Sequence, residues 1–509
     1  MRNSDTVVHH HIIGTDPNEN IMGCCGRRCQ KWSTFSTAAV LLVLGLVLSI
    51  WWTMLFQNVV NKQLSLGSKD TKGYKMWKET PIPMYIEFYL WNWTNVDEFK
   101  DNQWPTKPKF EELGPYTYSE HHIREQVVFN DNNTITYKTK KIYKFLPEKS
   151  NGKLTDKITT INVILASVAD LVRSKNIIVR DGIEFFILEK HEQFIITKTA
   201  QEFLFDGYDD PFINLAKKLH IKGMDIPYDK FGWFYNRNGS ADYDGVLNMY
   251  NGADSISKLG RLAMWNYEPR VDDYPGECGK IQGTSGELWY PPHEDDVLEV
   301  FAPDICSTLK LRKNNTIMHN GIKGYRYVAG EEVFGNDLPE NKCYIPDGTT
   351  FRSGVRTVQK CKFNAPAYVS YPHFYLADPW YREQIDGMEP NSAEHVFYLS
   401  LEPSTGLPLN VHAALQVNIR IRNCTGIKYL ENVKETYFPM LWFKQTAELT
   451  EDLSSLAKLM LVMPNVGTYT GYGFIGLGTL LLTLGVVITF RRGWKDSSDD
   501  ERLLNQQSL

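Results

Sequence analysis

The sequence is poor in features typical of nucleic-acid-binding proteins and of membrane proteins with many spans. Its formal net charge is only −5, and no stripe of Lys and Arg runs along it, so nucleic acid is not an expected partner. The mean hydropathy of −0.35 excludes a bundle of many membrane helices. There is no low-complexity tract and no internal repeat, and 42% of the 509 residues are hydrophobic. A chain of this kind can form a substantial folded core.

Signatures of common enzyme classes are also missing. There is no Gly-x-Ser-x-Gly motif, and the nearest string, Gly283-Thr-Ser-Gly-Glu287, breaks that pattern. There is no His-Glu-x-x-His motif and no Walker loop. We therefore expect no enzymatic activity, no cofactor and no metal site. A glycosidase stays open as an alternative, because two carboxylates facing one substrate leave no sequence signature.

Charge is absent from two long apolar runs, one near each end of the chain. Phe35–Phe56 lies inside a charge-free stretch and has 22 residues, roughly 33 Å of helix, which crosses ~30 Å of hydrocarbon. Tyr469–Phe490 has the same length and ends before Arg491. The alternative for the first run, a cleaved signal peptide, is usually shorter and does not follow a polar tail like residues 1–31.

Basic residues flank the outer ends of both runs and orient the chain. They are Arg27, Arg28 and Lys31 before the first run, and Arg491, Arg492 and Lys495 after the second. The positive-inside rule places both termini in the cytosol. The predicted organisation is a cytosolic tail (1–31), a transmembrane helix (32–60), an extracellular or luminal ectodomain (61–466), a second transmembrane helix (467–490) and a cytosolic tail with a sorting signal (491–509).

Sequons and cysteines agree with this topology. The five Asn-x-Ser/Thr sequons lie between the spans and predict glycosylation at Asn92, Asn132, Asn238, Asn314 and Asn423. Five cysteines lie in the oxidising compartment: Cys278, Cys306, Cys343, Cys361 and Cys424. The other three lie at the cytosolic end of the first span and predict palmitoylation at Cys24, Cys25 and Cys29.

The ectodomain sequence is dominated by strand patterns. In 411–421, every second residue is apolar, which predicts a β-strand with one face in the core and one in water. Two apolar segments, 161–172 and 183–194, have helical spacing. The region reads as one antiparallel β-rich domain with inserted helices.

Eight short motifs occur in order between the spans, and together they carry a family resemblance. They are Gly114-Pro-Tyr-Thr-Tyr118, Gly207-Tyr-Asp-Asp-Pro-Phe212, Asn251-Gly252, Ser370-Tyr-Pro-His-Phe374, Asp386-Gly387 with Pro390-Asn391, Glu402-Pro-Ser-Thr-Gly406, Leu415-Gln-Val-Asn418 and Pro439-Met-Leu-Trp442. With these motifs the chain resembles the class B scavenger receptors. The resemblance implies a membrane α+β protein, in which two transmembrane helices flank an antiparallel β-barrel-like ectodomain with a helical apex and an internal apolar tunnel.

The resemblance also implies how the cysteines pair. Two of the family's bridges correspond to Cys278–Cys343 and Cys306–Cys361, whereas the cysteines of a third are missing. Cys424 is left over, and two interpretations stay open: a buried free thiol or an intermolecular bridge.

A candidate ligand-binding segment follows from the same resemblance, which implies ligand-binding helices around residues 182–194. Lys190 is the nearest equivalent of a basic residue that meets a lipid carboxylate, with His191 and Phe194 beside it. The alternative for Lys190 is a surface lysine satisfied by neighbouring glutamates. His191 is either a switch in acidic compartments or a plain surface histidine.

The C-terminal tail contains an acidic dileucine pattern. Asp499, Leu503 and Leu504 have the spacing of a sorting signal recognised by clathrin adaptors. An exposed Leu pair on a short polar tail has no core to join, so it suits a partner groove; a chance match in a polar tail is the alternative. The pattern predicts a protein shared between the plasma membrane and the endosomal or lysosomal membrane.

The predicted function is that of a receptor that binds lipidic ligands and passes them to the bilayer through the tunnel. Exposing each methylene to water costs about 0.8 kcal/mol, so a covered apolar route lowers a large barrier. The alternative is a sorting receptor for a luminal protein cargo. Expected partners are lipids (fatty acid, sterol, carotenoid) or lipoprotein particles, a luminal cargo, the membrane, clathrin adaptors and further copies of the chain in a homo-oligomer.

Overall fold

The computed structural model describes residues 27–99, 104, 107–219, 227–346 and 348–491. Several predictions fall outside these residues: lipidation of Cys24 and Cys25 and the sorting signal at Asp499, Leu503 and Leu504. The described residues form two compact units, one within 59–460 and one of residues 27–58 with 461–491. In the described ranges the α-helices are α1 (Arg27–Leu64), α2 (Lys72–Lys78), α3 (Val163–Val172), α4 (Ile177–Lys190), α5 (Pro211–Leu219), α6 (Trp380–Glu383) and α7 (Glu451–Phe490).

Two of these helices, among the residues described, are long and apolar enough to cross a membrane: Cys29–Leu64 and Glu451–Phe490. Each contains one of the predicted spans, and each extends beyond it. Within the terminal unit the helices approach closely at glycines, since a Cβ on Gly471 would lie 2.9 Å from the Gly45 carbonyl oxygen. Trp52 Nε1 donates a hydrogen bond of 3.0 Å to the Met463 carbonyl. Small residues at such crossings let two backbones pack tightly in lipid.

The 59–460 unit is built from antiparallel strands. In chain order the strands of the described segments are β1 (Met84–Trp93), β2 (Phe110–Phe129), β3 (Thr134–Phe145), β4 (Lys157–Ile161), β5 (Ile195–Thr199), β6 (Leu247–Tyr250), β7 (Leu262–Trp265), β8 (Leu298–Ala302), β9 (Ser307–His319), β10 (Ile322–Ala329), β11 (Arg356–Thr357), β12 (Ala367–Ser370), β13 (Phe397–Leu401), β14 (Pro408–Ile421) and β15 (Thr436–Glu448). β4 and β5 form a separate two-stranded sheet, and the other strands form one large sheet.

The large sheet confirms the predicted antiparallel β-rich ectodomain, and it is open and not closed as a barrel. Its order is β7-β6-β3-β2-β1-β15-β14-β13-β10-β9-β8, with β12 and β11 attached to β14. The edge strands β7 and β8 do not pair with each other within the described residues. A loop crosses between them instead: Leu262 N donates to the Gly283 carbonyl. Thr284 N donates to the carbonyl of Glu299, and its own carbonyl accepts from Phe301 N, so both bonds join the loop to β8. One short crossing segment satisfies edge groups that a barrel would pair strand to strand.

Strand β14 lies at the centre of the sheet and is buried on both faces. The predicted alternation is present, but the face expected in water carries Gln416 and Asn418, both with 0% exposure. Their amides are satisfied by hydrogen bonds, because Gln416 Nε2 donates to Asn418 Oδ1 at 2.8 Å and Asn418 Nδ2 donates to Ser370 Oγ at 3.0 Å. Full pairing of these amides makes burial of a polar strand face possible.

The predicted helical pair becomes α3 and α4, which differ in their surroundings. α3 begins after Asn162, whose side-chain oxygen accepts from the backbone N–H groups of Ile164 and Leu165, and nearly all of α3 is buried. In contrast, α4 exposes large apolar side chains, including Ile178 at 77% and Phe185 at 67%. The first helix is part of the core, and the second presents an apolar surface.

Two disulfides have both of their cysteines in the described part of the chain, Cys278–Cys343 and Cys306–Cys361. They are the two pairs that the family resemblance implied. Cys424 is a free cysteine with 1% exposure, and its Sγ lies 3.5 Å from the Ala169 carbonyl oxygen. Of the two interpretations of Cys424, the structure contains the buried thiol.

Candidate functional site

An apolar cavity of about 410 Å³ lies inside the 59–460 unit. Every second residue of a strand faces the same side of a sheet, and the inward face of β14 supplies one wall with Val411, Ala413, Leu415, Val417 and Ile419. β15 adds Leu441, Phe443, Gln445 and Ala447. The alternation that predicted a core-facing side of β14 therefore corresponds to a cavity wall.

Loops and two helices, α3 and α5, contribute to the enclosure. Phe231, Trp233 and Phe234 come from the loop after α5, and Val163 and Ile164 come from α3. The cavity is thus walled by aromatic and branched side chains from parts of the chain far apart in sequence. Its volume lies within the range of about 300–1,000 Å³ found for small-molecule sites.

Two networks of buried charge border the apolar walls, and the first is held by β2. Glu120, His122 and Arg124 point to one side of this strand, with side-chain exposures of 1%, 2% and 1%. His122 Nε2 lies 2.7 Å from Glu120 and its Nδ1 lies 3.0 Å from Glu287, which also contacts Arg124. Gln445 Nε2 donates to Glu120 at 2.7 Å. Two carboxylates thus face one guanidinium and one imidazole.

The electrostatics of this first network favour its charged forms. Burial by itself would raise the pKa of Glu120, but the neighbouring His122, Lys141 and Arg237 outweigh it and lower the pKa to about 2. Burial likewise opposes the charge on His122, yet Glu287 and Glu120 raise its pKa above the ordinary value. Oppositely charged neighbours, some of them in the second network, therefore keep Glu120 and His122 in their charged forms.

The second network involves β3 and the loop after Tyr228. Arg237 donates to Asp244 Oδ1 at 3.1 Å and to both oxygens of Asp304, at 3.1 and 2.9 Å. Lys141 Nζ lies 2.8 Å from the other oxygen of Asp244. Arg237, Lys141 and Asp304 all line the cavity, as does Lys362. This network gives one end of the cavity a polar, cationic character.

The residues predicted to bind ligand lie elsewhere. Lys190 is exposed at the end of α4, 2.9 Å from Glu189 Oε1, and His191 forms the left-handed cap of that helix. Phe194 is fully buried and packs edge-on against Trp104 at 5.5 Å. None of these three predicted residues is among the cavity-lining residues that the structure describes.

The other predicted sites differ in accessibility. Four of the sequon asparagines are exposed: Asn132, Asn238, Asn314 and Asn423. Asn92 is half-buried in β1, and its side-chain oxygen accepts a 2.8 Å hydrogen bond from Thr159 N. Cys29 lies near the start of α1 and is disulfide-bonded. Glycosylation and lipidation at these positions stay predictions.

One cluster within the described ranges has metal-ligand atoms close together: Asp273, Cys306 and Cys361. Both of its sulfurs belong to the Cys306–Cys361 disulfide. Cysteine binds a metal ion as the free thiolate, so this cluster does not form a metal site in the oxidised protein.

The sequence analysis did not predict the buried charged residues of β2, although their spacing gave an indication. Glu120, His122 and Arg124 stand at every second position, which is the spacing of one strand face. A polar strand face is ordinarily exposed to water, and nothing local indicates that Glu287 lies against it. Only the fold brings the partner to the strand.

Comparisons with known proteins agree with this architecture. The family model described as "CD36 family" matches residues 36–489. Protein peste of Drosophila melanogaster is 32% identical over 90% of this chain and 82% of its own length. Scavenger receptor class B member 1 of Mus musculus is 31% identical, with 92% and 91% covered. Lysosome membrane protein 2 of Homo sapiens is 29% identical, with 94% and 98% covered. A match spanning both terminal helices and the sheet-built unit between them means that this chain is a two-pass membrane protein and belongs to the CD36 family.

Proposed function

We propose that this protein is a membrane receptor that holds a lipidic ligand in its ectodomain cavity and passes it to the bilayer. The observation that carries the proposal is the apolar cavity of about 410 Å³. Apolar surface buried from water contributes roughly 25 cal/mol per Å², so an acyl chain or a sterol gains more in such a cavity than a polar solute does. Family membership supports a receptor with a lipid-related role.

A cavity-filling substitution tests the proposal. Ala413 is a small, half-buried residue of β14 that lines the cavity, so Ala413→Trp places an indole where a ligand chain would lie. We expect purified full-length Ala413→Trp protein to carry several-fold less extractable lipid than wild type. The matched control is Ala393→Trp, the same change at an exposed position that does not line the cavity. Equal lipid content in all three proteins would contradict the proposal.

We propose that Lys190, at the end of α4, belongs to a site that first captures the lipid. Lys190 is exposed, and its Nζ lies 5.8 Å from the centre of the Phe186 ring. A cation beside apolar surface suits an anionic amphiphile before its chain is enclosed. We expect Lys190→Glu to slow lipid uptake and to leave the amount bound at equilibrium unchanged; unchanged uptake kinetics would remove Lys190 from the proposal.

A second candidate function is the sorting of a luminal protein cargo, and the exposed apolar surface of α4 favours it. Ile178, Phe185 and Leu188 are 77%, 67% and 58% exposed. Contiguous exposed apolar side chains of this size are typical of interaction sites. The Ala413→Trp variant separates the two functions: lipid-depleted protein that still delivers a luminal cargo would favour sorting.

We also propose the topology and location that the sequence predicted. Both termini lie in the cytosol, the tail signal engages clathrin adaptors, and the protein moves between the plasma membrane and the endosomal or lysosomal membrane. The double change Leu503→Ala with Leu504→Ala should shift the protein several-fold toward the cell surface. An unchanged surface fraction would remove the sorting signal.

A further inference from the structure

A segment of the chain lies on the sheet face opposite the cavity, and we call it the strap. The strap is residues 387–396, which form neither helix nor strand and connect a β-bridge at Asp386 to the start of β13. Its His395 is 4% exposed and packs edge-on against the Trp442 ring at 5.4 Å. Phe443, the next residue of β15, lines the cavity, so Trp442 points to the opposite face. His395 therefore attaches the strap to the outer face of the sheet.

Two histidines accept hydrogen bonds from the backbone of the strap. His395 Nδ1 accepts from Asn391 N at 2.9 Å and closes a turn within the strap. His373, from the segment after β12, accepts from Glu389 N at 3.0 Å, also through Nδ1. An imidazole nitrogen accepts a hydrogen bond only when it carries no proton. Both rings are therefore neutral while the strap is closed.

The two rings also lie against each other. The centres of the His373 and His395 rings are 4.2 Å apart, and their planes differ by 10°. His373 Nε2 lies 2.7 Å from Glu112 Oε2, which also accepts a 2.6 Å hydrogen bond from Trp442 Nε1. Because His373 Nδ1 accepts, its Nε2 carries the ring proton and donates to Glu112. A proton on His395 would place a cation against this second imidazole.

The surroundings of His395 oppose its charged form. The pKa of His395 is lowered to about 4, first by burial and then by repulsion from His373. The carboxylate of Glu112 on β2 opposes this shift only in part, and His412 on β14 and Lys444 on β15 add further repulsion. The neutral ring is therefore the form that the closed strap favours.

Other titratable groups on this face are engaged with one another. The Lys444 ammonium lies 2.9 Å from Glu87 on β1 and 3.3 Å from Glu394 on the strap. The Tyr89 hydroxyl on β1 donates to Glu87 at 3.0 Å. His412 Nδ1 lies 2.7 Å from the carbonyl oxygen of Val396, at the end of the strap. These contacts leave the backbone N–H groups of the strap turn to the histidines.

Acid should therefore favour an open strap. In the closed form the pKa of His395 is about 4, whereas a ring in water has the ordinary value of 6.5. A neutral His395 stabilises the closed form fully above 6.5, and this stabilisation is lost as the pH falls from 6.5 toward 4. Between about pH 7.5 and about pH 5, the equilibrium constant for opening should increase about tenfold or more.

We propose that His395 is an acid sensor, and that a proton taken up at its Nδ1 opens the strap. The new N–H group faces the N–H group of Asn391, so the hydrogen bond that closes the turn is lost. The positive charge also favours separation of His395 from His373. Histidine clusters that change charge at about pH 5–6 open interfaces in this way. The inference is independent of the proposed lipid binding, because His395 lies on the face opposite the cavity.

Hydrogen exchange of the strap tests this inference. Full-length protein in phosphatidylcholine nanodiscs exchanges at about pH 7.5 and about pH 5, and mass spectrometry follows peptides that cover the strap. Rates are corrected for the intrinsic effect of pH on amide exchange. Peptides from the hairpin of β9 and β10 report whether each variant is folded.

Three variants separate the sensor from other effects of acid. His395→Asn places an amide oxygen near the position of Nδ1 and does not titrate. His395→Phe keeps an aromatic ring but offers no acceptor to Asn391. The matched control is His121→Asn, the same change at a histidine of β2 with 44% side-chain exposure.

We expect protection of the strap in wild type to decrease about tenfold or more from the higher to the lower pH. His395→Asn should stay protected at both, with a decrease of less than about threefold. His395→Phe should be poorly protected at both, and His121→Asn should behave as wild type. The hairpin of β9 and β10 should stay protected throughout.

Several results would overturn the assignment. One is equal protection of the wild-type strap at the two pH values, which needs no variant. Another is a His395→Asn strap that loses protection in acid as much as wild type. A His395→Phe strap that is fully protected at the higher pH would show that the bond from Asn391 does not close the turn.

Discussion

At the scale of single residues, the main feature of the sheet-built unit is the set of charged side chains buried beside its apolar cavity. The Arg237 side chain is 6% exposed and forms ion pairs with two carboxylates. Burial opposes its charge, yet Asp304, Tyr143 and Asp244 raise the pKa of the guanidinium well above its ordinary value. Removing one member of such a group leaves the others buried without compensation.

Arg237→Met should therefore destabilise the protein strongly. Breaking a buried ion pair from one side costs about 3–5 kcal/mol, and we expect a clear decrease in the Tm of the purified full-length protein. The control is Arg312→Met, whose guanidinium is 61% exposed and lies 3.6 Å from Glu332; an exposed pair contributes about 0–1 kcal/mol. Similar Tm values for the two variants would contradict the structural role of Arg237.

Glu120 should make stability depend on pH in the acid range. Its pKa lies at about 2 in the folded protein, below the ordinary 4.5, so its ionised form stabilises the fold above 4.5. That stabilisation is lost as the pH falls from 4.5 toward 2. We expect Glu120→Gln to flatten the dependence of Tm on pH in this window.

The comparison for this pH profile is Glu448→Gln, at a side chain with 71% exposure. Its charge is screened by water, so its removal should leave the profile close to that of wild type. A Glu120→Gln profile as steep as that of wild type would show that other carboxylates govern acid stability.

At the scale of secondary-structure elements, the terminal helices and strand β14 show what a local sequence pattern predicts and what it does not. α1 and α7 were predicted from their length and lack of charge, and both are present as helices. Their packing through Gly45 and Gly471 was not predicted, because the sequence does not show which face of one helix meets the other. β14 was predicted as a strand, but its second buried face depends on Ser370 and the segment around it.

Gly471→Leu should disrupt the pairing of the terminal helices. A Cβ at Gly471 would lie 2.7 Å from Ser49 N, so a larger side chain forces the helices apart. Disulfide cross-linking between Thr53→Cys and Thr468→Cys measures the pairing, since these hydroxyls are 3.3 Å apart. We expect several-fold less cross-linking in the Gly471→Leu background. Gly473→Leu is the control, because a Cβ there meets nothing within 4 Å; an equal loss in both would contradict the contact.

At the scale of the whole molecule, two apolar helices flank one large unit in the sequence. Two disulfides cross-link this unit, and it encloses a cavity. Chain topology decides which compartment this unit occupies, and the compartment decides whether Cys278–Cys343 and Cys306–Cys361 can persist. The two disulfides fit a unit that lies outside the cytosol, which is also where the proposed topology with cytosolic termini puts it.

Epitope tags test this topology. Tags at the N- and C-termini should bind antibody only after cells are permeabilised, whereas a tag inserted after the exposed residue Gly348 should be labelled at the surface of intact cells. The inserted tag also shows that the protein reaches the surface. Labelling of either terminal tag in intact cells would contradict the two-pass arrangement with cytosolic ends.

Features that depend only on residues close together in the chain could be predicted from the amino-acid sequence. Charge-free runs of membrane-crossing length, the alternation in 411–421 and eight ordered motifs were sufficient for the two anchors, the β-rich unit and the family. These signals are local, because helix length and strand periodicity depend on consecutive residues. The bridges that the resemblance implied needed only the positions of four cysteines.

Where the sheet ends, which residues line the cavity and which charges meet there depend on the tertiary fold. Lys141, Arg237, Asp304 and Lys362 are separated by 96, 67 and 58 positions in the chain, and no periodicity links them. Their proximity follows from strand order and from the Cys306–Cys361 bridge. Because the energy of a buried charge depends on everything around it in space, the polar end of the cavity becomes visible only in the folded chain.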